Sequence, residues 1–253
     1  MKVTFKNHIS PFSQPISTKE VEALRVAKQH FSDCYIVSSL EAFSNSSNGV
    51  KMLQNRISYF DDNLPTLKCC LYSPDGNKQY YYVPTSQVRN GYEKLYKHQD
   101  NKIVRALDIS VNEYEKQYRT KPFVCRIASF FKNFTFEFNV VSNFMKQLTG
   151  KEPTVNIAEK SFNINLKPYK KEVMELFKRM DKEKDHSFVI GTGIKKVDGK
   201  RWHVYVLEDV NLAENKVTIK NKRGNVRKVI SIEEVLDKYK YIVGYLGSDL
   251  KDC

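Results

Sequence analysis

The hydrophobic pattern of this chain changes period along its length, and that change sets the fold class. Through the first half, apolar residues recur at helical spacing. Ile36, Val37, Leu40 and Phe43 form one stripe, and Ile103, Leu107, Val111 and Tyr114 form another. In the last third the pattern alternates instead, as in Trp202 to Glu208. Helices first and antiparallel strands later predict an α+β fold.

The punctuation refines this reading. Ser17-Thr18-Lys19-Glu20 opens a short helix carrying Val21, Leu24 and Ala27. A second helix starts near Ser32 or Asp33 and stops at the polar run Ser44 to Gly49. A third follows with Val50, Leu53 and Ile57 in register. Leu67 to Tyr72 and Gln79 to Val83 flank Ser73-Pro74-Asp75-Gly76-Asn77, a hairpin signal. Residues 123–148 are rich in Phe and end in a helix at Val140 to Leu148, stopped by Thr149-Gly150. Helix Lys170 to Met180 leads to strands at Phe188 to Ile190, Trp202 to Glu208, Lys216 to Ile219 and Tyr241 to Leu246, with a short helix at Ile232 to Asp237. No internal repeat is present.

Composition narrows the function classes. The chain has 253 residues, 41% of them apolar, enough to bury a substantial core. Its net charge is +13, but the lysines are dispersed. The densest clusters, Lys167 to Lys171 and Lys216 to Lys228, fit a helix start and hairpin turns. A solvated surface or an acidic protein partner is therefore expected rather than nucleic acid. No run of eighteen apolar residues suggests a membrane span, and the first residues lack the apolar core of a secretory signal. Cys34, Cys69, Cys70, Cys125 and Cys253 are odd in number and irregularly spaced, with no CxxC pair. Free thiols in a reducing compartment are expected, and no metal or cofactor site. The expected location is the cytoplasm, or export without a cleaved signal. The bias to Lys, Asn, Phe and Tyr also suits a bacterial protein delivered into host cells.

Cys34 stands at the first turn of an amphipathic helix, where unpaired backbone N–H groups and the helix dipole stabilise a thiolate. A cysteine there also fits plain core packing. His203 lies in the alternating strand Arg201 to Leu207, sharing a face with Tyr205. Asn221 follows the next strand, eighteen residues on. Adjacent strands can bring the two together, so that the Asn oxygen accepts one imidazole N–H while the other ring nitrogen faces sulfur. Cys69, Cys70 and Cys125 fit core packing. His186 is a second base candidate without an Asn or Asp on a neighbouring strand. Gly191-Thr192-Gly193 lacks phosphate-loop spacing and suggests flexible backbone near the cleft.

The order Asp33-Cys34-Tyr35-Ile36-Val37-Ser38-Ser39-Leu40, then His203-Val204-Tyr205-Val206-Leu207, then Asn221, resembles the protease core of calpains and their bacterial relatives. Leu107 to Tyr118 and Leu148-Thr149-Gly150 resemble family segments in the same order. The likeness runs loosely from about residue 20 to 247. It implies a papain-like single domain of two lobes, helical over about 20–153 and antiparallel β over about 154–247. It implies Cys34 as nucleophile, His203 as base, Asn221 as orienter and a glutamine donor to the oxyanion, for which Gln29 is the nearby candidate. The implied activity is hydrolysis of peptide bonds in a protein or peptide substrate. The same triad also serves deamidation, transglutamination and ubiquitin removal, and a degenerate member would be a binding module.

Three departures stand out. Gln29 lies five residues before the cysteine, where the family has six. Ser32 replaces the glycine before Asp-Cys. Asn221-Lys222-Arg223 replaces Asn-Pro-Trp, whose tryptophan shields the His–Asn pair. Trp202 is placed by alternation on the opposite strand face, so the pair is either wetter or covered by another aromatic. No acidic loop suggests calcium sites.

Overall fold

The computed structural model describes residues 13–27, 34–62, 64–84, 101–118, 133–158, 167–192, 197, 199, 203–251 and 253. At 61, 62, 64, 65, 133–139, 158, 167 and 168 only the backbone is described. The chain runs β1 (Ser13–Pro15), α1 (Thr18–Ala23), a 3-10 turn (Leu24–Val26), α2 (Cys34–Ser44), α3 (Ser47–Arg56), β2 (Ile57–Asp62), β3 (Leu64–Tyr72) and β4 (Lys78–Pro84). There follow α4 (Lys102–Tyr118), α5 (Asn133–Thr149), β5 (Val155–Ala158), α6 (Lys167–Lys182), β6 (His186–Thr192), β7 (Val204–Asn211), β8 (Lys216–Asn221), β9 (Val226–Ser231), α7 (Ile232–Lys238), β10 (Tyr239–Leu246) and a 3-10 turn (Gly247–Leu250). The fold is mixed α+β, as the change of period predicts. One sheet has the order β1-β2-β3-β4 and the other β5-β10-β6-β7-β8-β9. Every strand pairing is antiparallel.

Local chemistry explains the element ends. The Ser17 hydroxyl accepts the Glu20 N–H at 3.3 Å, and the Glu20 carboxylate accepts the Ser17 N–H at 3.0 Å, a reciprocal cap that starts α1. Gly150 adopts φ 81 and donates its N–H to the Lys146 carbonyl at 2.8 Å, closing α5. In the β3–β4 hairpin the Ser73 hydroxyl accepts the Asn77 N–H at 3.1 Å.

The structure corrects the sequence reading in four places. The first half is not simply helical, because it also contains the four-stranded sheet. Ile57, expected in the third helix, ends that helix and begins β2, where it pairs with Cys69 of β3. Its apolar side chain suits either element, and the open edge of β3 decides. The end of the basic cluster Lys216 to Lys228, expected to fit hairpin turns, runs instead into strand β9 on the edge of the larger sheet. Its weak alternation reflects a strand buried on little of its surface. The three-residue β1 and four-residue β5 are too short to show a period.

Alternation along β6 and β7 divides the core in two. Val189, Val204 and Val206 join α2, α3, α4, α5 and the smaller sheet in one cluster. Phe188, Ile190, Tyr205 and Leu207 face α6 and α7 in the other. The larger sheet is thus covered on both faces. Helix α2 is the central element, buried from Ile36 through Ser44. Burial of each Leu- or Phe-sized side chain contributes roughly 1.5–3 kcal/mol, so α2 is held firmly. The candidate nucleophile stands at its first residue. Among the described residues, no helix is long and apolar enough to cross a membrane.

Candidate active site

Cys34 opens α2 and is half-buried. The first N–H groups of a helix have no intrahelical partner and carry partial positive charge, which favours an anion such as a thiolate. Cys34, Ser38 and Glu41 fall at i, i+4 and i+7, on one stripe of α2. That stripe docks on the larger sheet. The Ser38 hydroxyl donates to the Val204 carbonyl at 3.2 Å. Glu41 accepts from Lys220 at 2.6 Å and pairs with Lys222. Cys34 therefore stands one helical turn, roughly 6 Å, from a residue bonded to the immediate neighbour of His203.

His203 precedes β7 at the mouth of the sheet. Its carbonyl accepts the Thr192 N–H at 3.0 Å, and its own N–H donates to the Thr192 hydroxyl at 3.0 Å. These bonds fix the backbone. The ring meets Tyr205 edge-on, with centroids 4.8 Å apart and planes at 85°. Nε2 of the imidazole lies 2.8 Å from Oδ1 of Asn221, the last residue of β8. The same oxygen accepts the Arg223 backbone N–H at 2.9 Å. A backbone N–H can only donate, so the Asn221 atom in that position is the oxygen. Facing an acceptor, Nε2 must carry the proton. Nδ1 is left as the basic nitrogen, the one able to take a proton from a thiol.

The structure thus brings His203 and Asn221 together as the spacing predicts, and sets Cys34 on the stripe of α2 that bonds β7 through Ser38. Gln29, Cys125 and Trp202 lie outside the described residues. His203 is 5% exposed and Tyr205 meets its ring edge-on, while Asn221 is half-buried. Lys222 is fully buried.

The remaining candidates separate cleanly. Cys69 is buried and its thiol is pushed up to about 12 by burial, against a weaker opposing bond from Ser110. Burial likewise raises Cys70. His186 is buried at the opposite end of β6 from Thr192, roughly 20 Å along the strand, too far to join His203. Gly191 is not a flexible link: a Cβ there would overlap the buried ring of Tyr241. Among the described residues no three His, Cys, Asp or Glu side chains converge on a metal position.

Sequence reasoning missed Thr192, Ser38, Glu41, Lys220 and Lys222 as supports of the site. Glu41 carried a signal, a single carboxylate seven residues beyond Cys34 in an otherwise apolar and small-residue helix. No family model matches this chain, and neither the curated proteins nor the solved structures contain a significant match.

Proposed function

We propose that this chain is a thiol hydrolase of the calpain-like, papain type that cleaves peptide bonds in a protein substrate. The observation that carries this reading is the His203–Asn221 bond at 2.8 Å, with Arg223 holding the Asn oxygen toward the ring. It leaves Nδ1 as the basic nitrogen, and the half-buried Cys34 opens α2, the helix whose Ser38 bonds the Val204 carbonyl next to His203. In the proposed reaction Nδ1 takes the Cys34 proton, and the thiolate attacks the substrate carbonyl carbon. The C–N bond breaks as the imidazolium protonates the leaving amine. Water, deprotonated by the same nitrogen, then releases the acyl group from sulfur. Asn221 keeps the imidazole in the productive tautomer throughout.

The test is alkylation by iodoacetamide with peptide mapping, followed from about pH 5 to 9. Cys34 is expected to react well below the ordinary thiol range, and His203→Ala to abolish that low-pH reactivity. A Cys34 that ionises as an ordinary thiol overturns the reading. Intact-mass analysis of protein substrates then defines the reaction. Fragments support peptide hydrolysis, whereas a mass gain of about one dalton or a heavier adduct would replace it with deamidation or crosslinking.

A further inference from the structure

Three charged side chains are buried where α2 meets β8. Glu41 is 1% exposed, Lys222 0% and Lys220 9%. Lys220 donates to Glu41 at 2.6 Å and to the Arg25 carbonyl at 2.8 Å. Lys222 pairs with the other Glu41 oxygen and donates to the Arg25 carbonyl at 3.0 Å. Arg25 in turn donates from its guanidinium to the Ser44 carbonyl, at 3.1 Å from Nε, satisfying the last turn of α2. The circuit therefore ties the 24–26 turn, α2 and the end of β8 to one another.

Stability does not explain this arrangement. Desolvating three charges costs about as much as their pairing returns, and apolar replacements of similar volume are often neutral or stabilising. Two cations around one carboxylate make the balance less favourable still. Burial pushes Lys222 below its ordinary range, and Glu41 opposes that shift. What the triad does supply is register, because a carboxylate and two ammonium groups match in one alignment only.

The alignment bears on the site. Lys220 and Lys222 are the two residues flanking Asn221. By strand alternation both face α2, while Asn221 faces the other way, toward His203. Glu41 grips the strand on both sides of Asn221, and it does so from the stripe that carries Cys34. Asn221 itself pairs with Val226 of β9, and beyond Lys222 the chain turns through Gly224 at φ 90 and Asn225 at φ 58.

We propose that Glu41 is a positioning residue of the thiol site: through Lys220 and Lys222 it fixes the place of Asn221, and hence of the His203 imidazole, relative to α2, the helix that begins with Cys34. This inference rests on the thiol-hydrolase reading above.

The test compares iodoacetamide alkylation of Cys34 across pH with thermal melting. In the triple variant Glu41→Met, Lys220→Met, Lys222→Met the charges leave together. It is expected to melt close to the wild type, while Cys34 alkylation near pH 6 slows about tenfold and its pH profile moves to that of Asn221→Ala, the size of effect seen when a partner orienting a functional imidazole is lost. Lys220→Met leaves a charge-balanced Glu41–Lys222 pair, and is expected to show a smaller slowing of about threefold. This second variant decides the matter if the triple variant does not fold. Arg56→Met removes a buried cation remote from the site and controls for lost stability alone. A folded triple variant, or a folded Lys220→Met, with the wild-type profile overturns the proposal and leaves the thiol-hydrolase reading intact. A wild-type Cys34 with an ordinary thiol profile overturns both.

Discussion

The Asn221 side-chain oxygen lies 2.8 Å from Nε2 of His203 while accepting the Arg223 N–H at 2.9 Å. Two donors on one oxygen define both the amide orientation and the imidazole tautomer. Asn221→Ala removes the acceptor, frees the ring to rotate and is expected to slow Cys34 alkylation at low pH roughly 10- to 100-fold. Asn221→Asp keeps an acceptor for both donors and is expected to retain most of the rate. Alkylation of the two variants across pH checks this; equal losses would show that orientation is not what Asn221 provides.

The backbone of His203 depends on Thr192, and Thr192 depends on the tight passage of β6 past β10. Gly191→Ala would drive a Cβ into the ring of Tyr241, which is 1% exposed and has no room to move. The expected cost is about 1–3 kcal/mol, with a loss of Cys34 reactivity larger than a surface mutation gives. Melting temperature and alkylation rate, measured together, test both parts.

Acid stability carries a signature of His186. Burial holds its imidazole below the ordinary value of 6.5, outweighing the attraction of Asp209 and Asp185. Below that value the unfolded chain takes up a proton that the folded chain refuses. The contribution is therefore fully present above about pH 6.5 and is lost as pH falls toward the depressed folded value, at up to about 1.4 kcal/mol per pH unit. His186→Gln should flatten the fall in stability as pH drops below about 6.5, a change that urea unfolding can resolve. Parallel curves for the two proteins would refute the assignment.

Arg56 is a structural cation. It is 6% exposed, its Nε donates to the Leu148 carbonyl at 3.0 Å and its Nη2 to the Tyr72 hydroxyl at 2.9 Å. These bonds join α3 to the end of α5 and to β3. Arg56→Met is expected to cost about 3 kcal/mol through lost charged hydrogen bonds and an unpartnered carbonyl. The pH profile of Cys34 alkylation should not move. A denaturant midpoint and the same alkylation assay measure the two quantities.

Much of the architecture was legible because local signals and tertiary structure agree. The stripe of Ile36, Val37, Leu40 and Phe43, the Ser73–Asn77 turn and the alternation of Val204 to Leu207 each name an element from its own residues. The strand at Ile57 was not legible. An apolar residue after a helix reads as one more turn until β3 offers it an open edge. Strand β9 was hidden for a related reason: exposed Val226 and Val229, with Arg227 and Lys228 between them, show no buried face.

The sequence by itself determined the α+β order, the placement of Cys34 at a helix start and the pairing of His203 with Asn221 across neighbouring strands. Those features depend on period, capping and strand spacing, which are written within a few residues of one another. Only the tertiary structure decided how the pair is held. Thr192 lies eleven residues from His203, and Glu41 lies 179 from Lys220. No local rule couples residues so far apart. Their meeting follows from the docking of α2 across β6 and β7, which brings Glu41 to the end of β8, where a buried carboxylate must find its counter-charges or forfeit the free energy of its hydration.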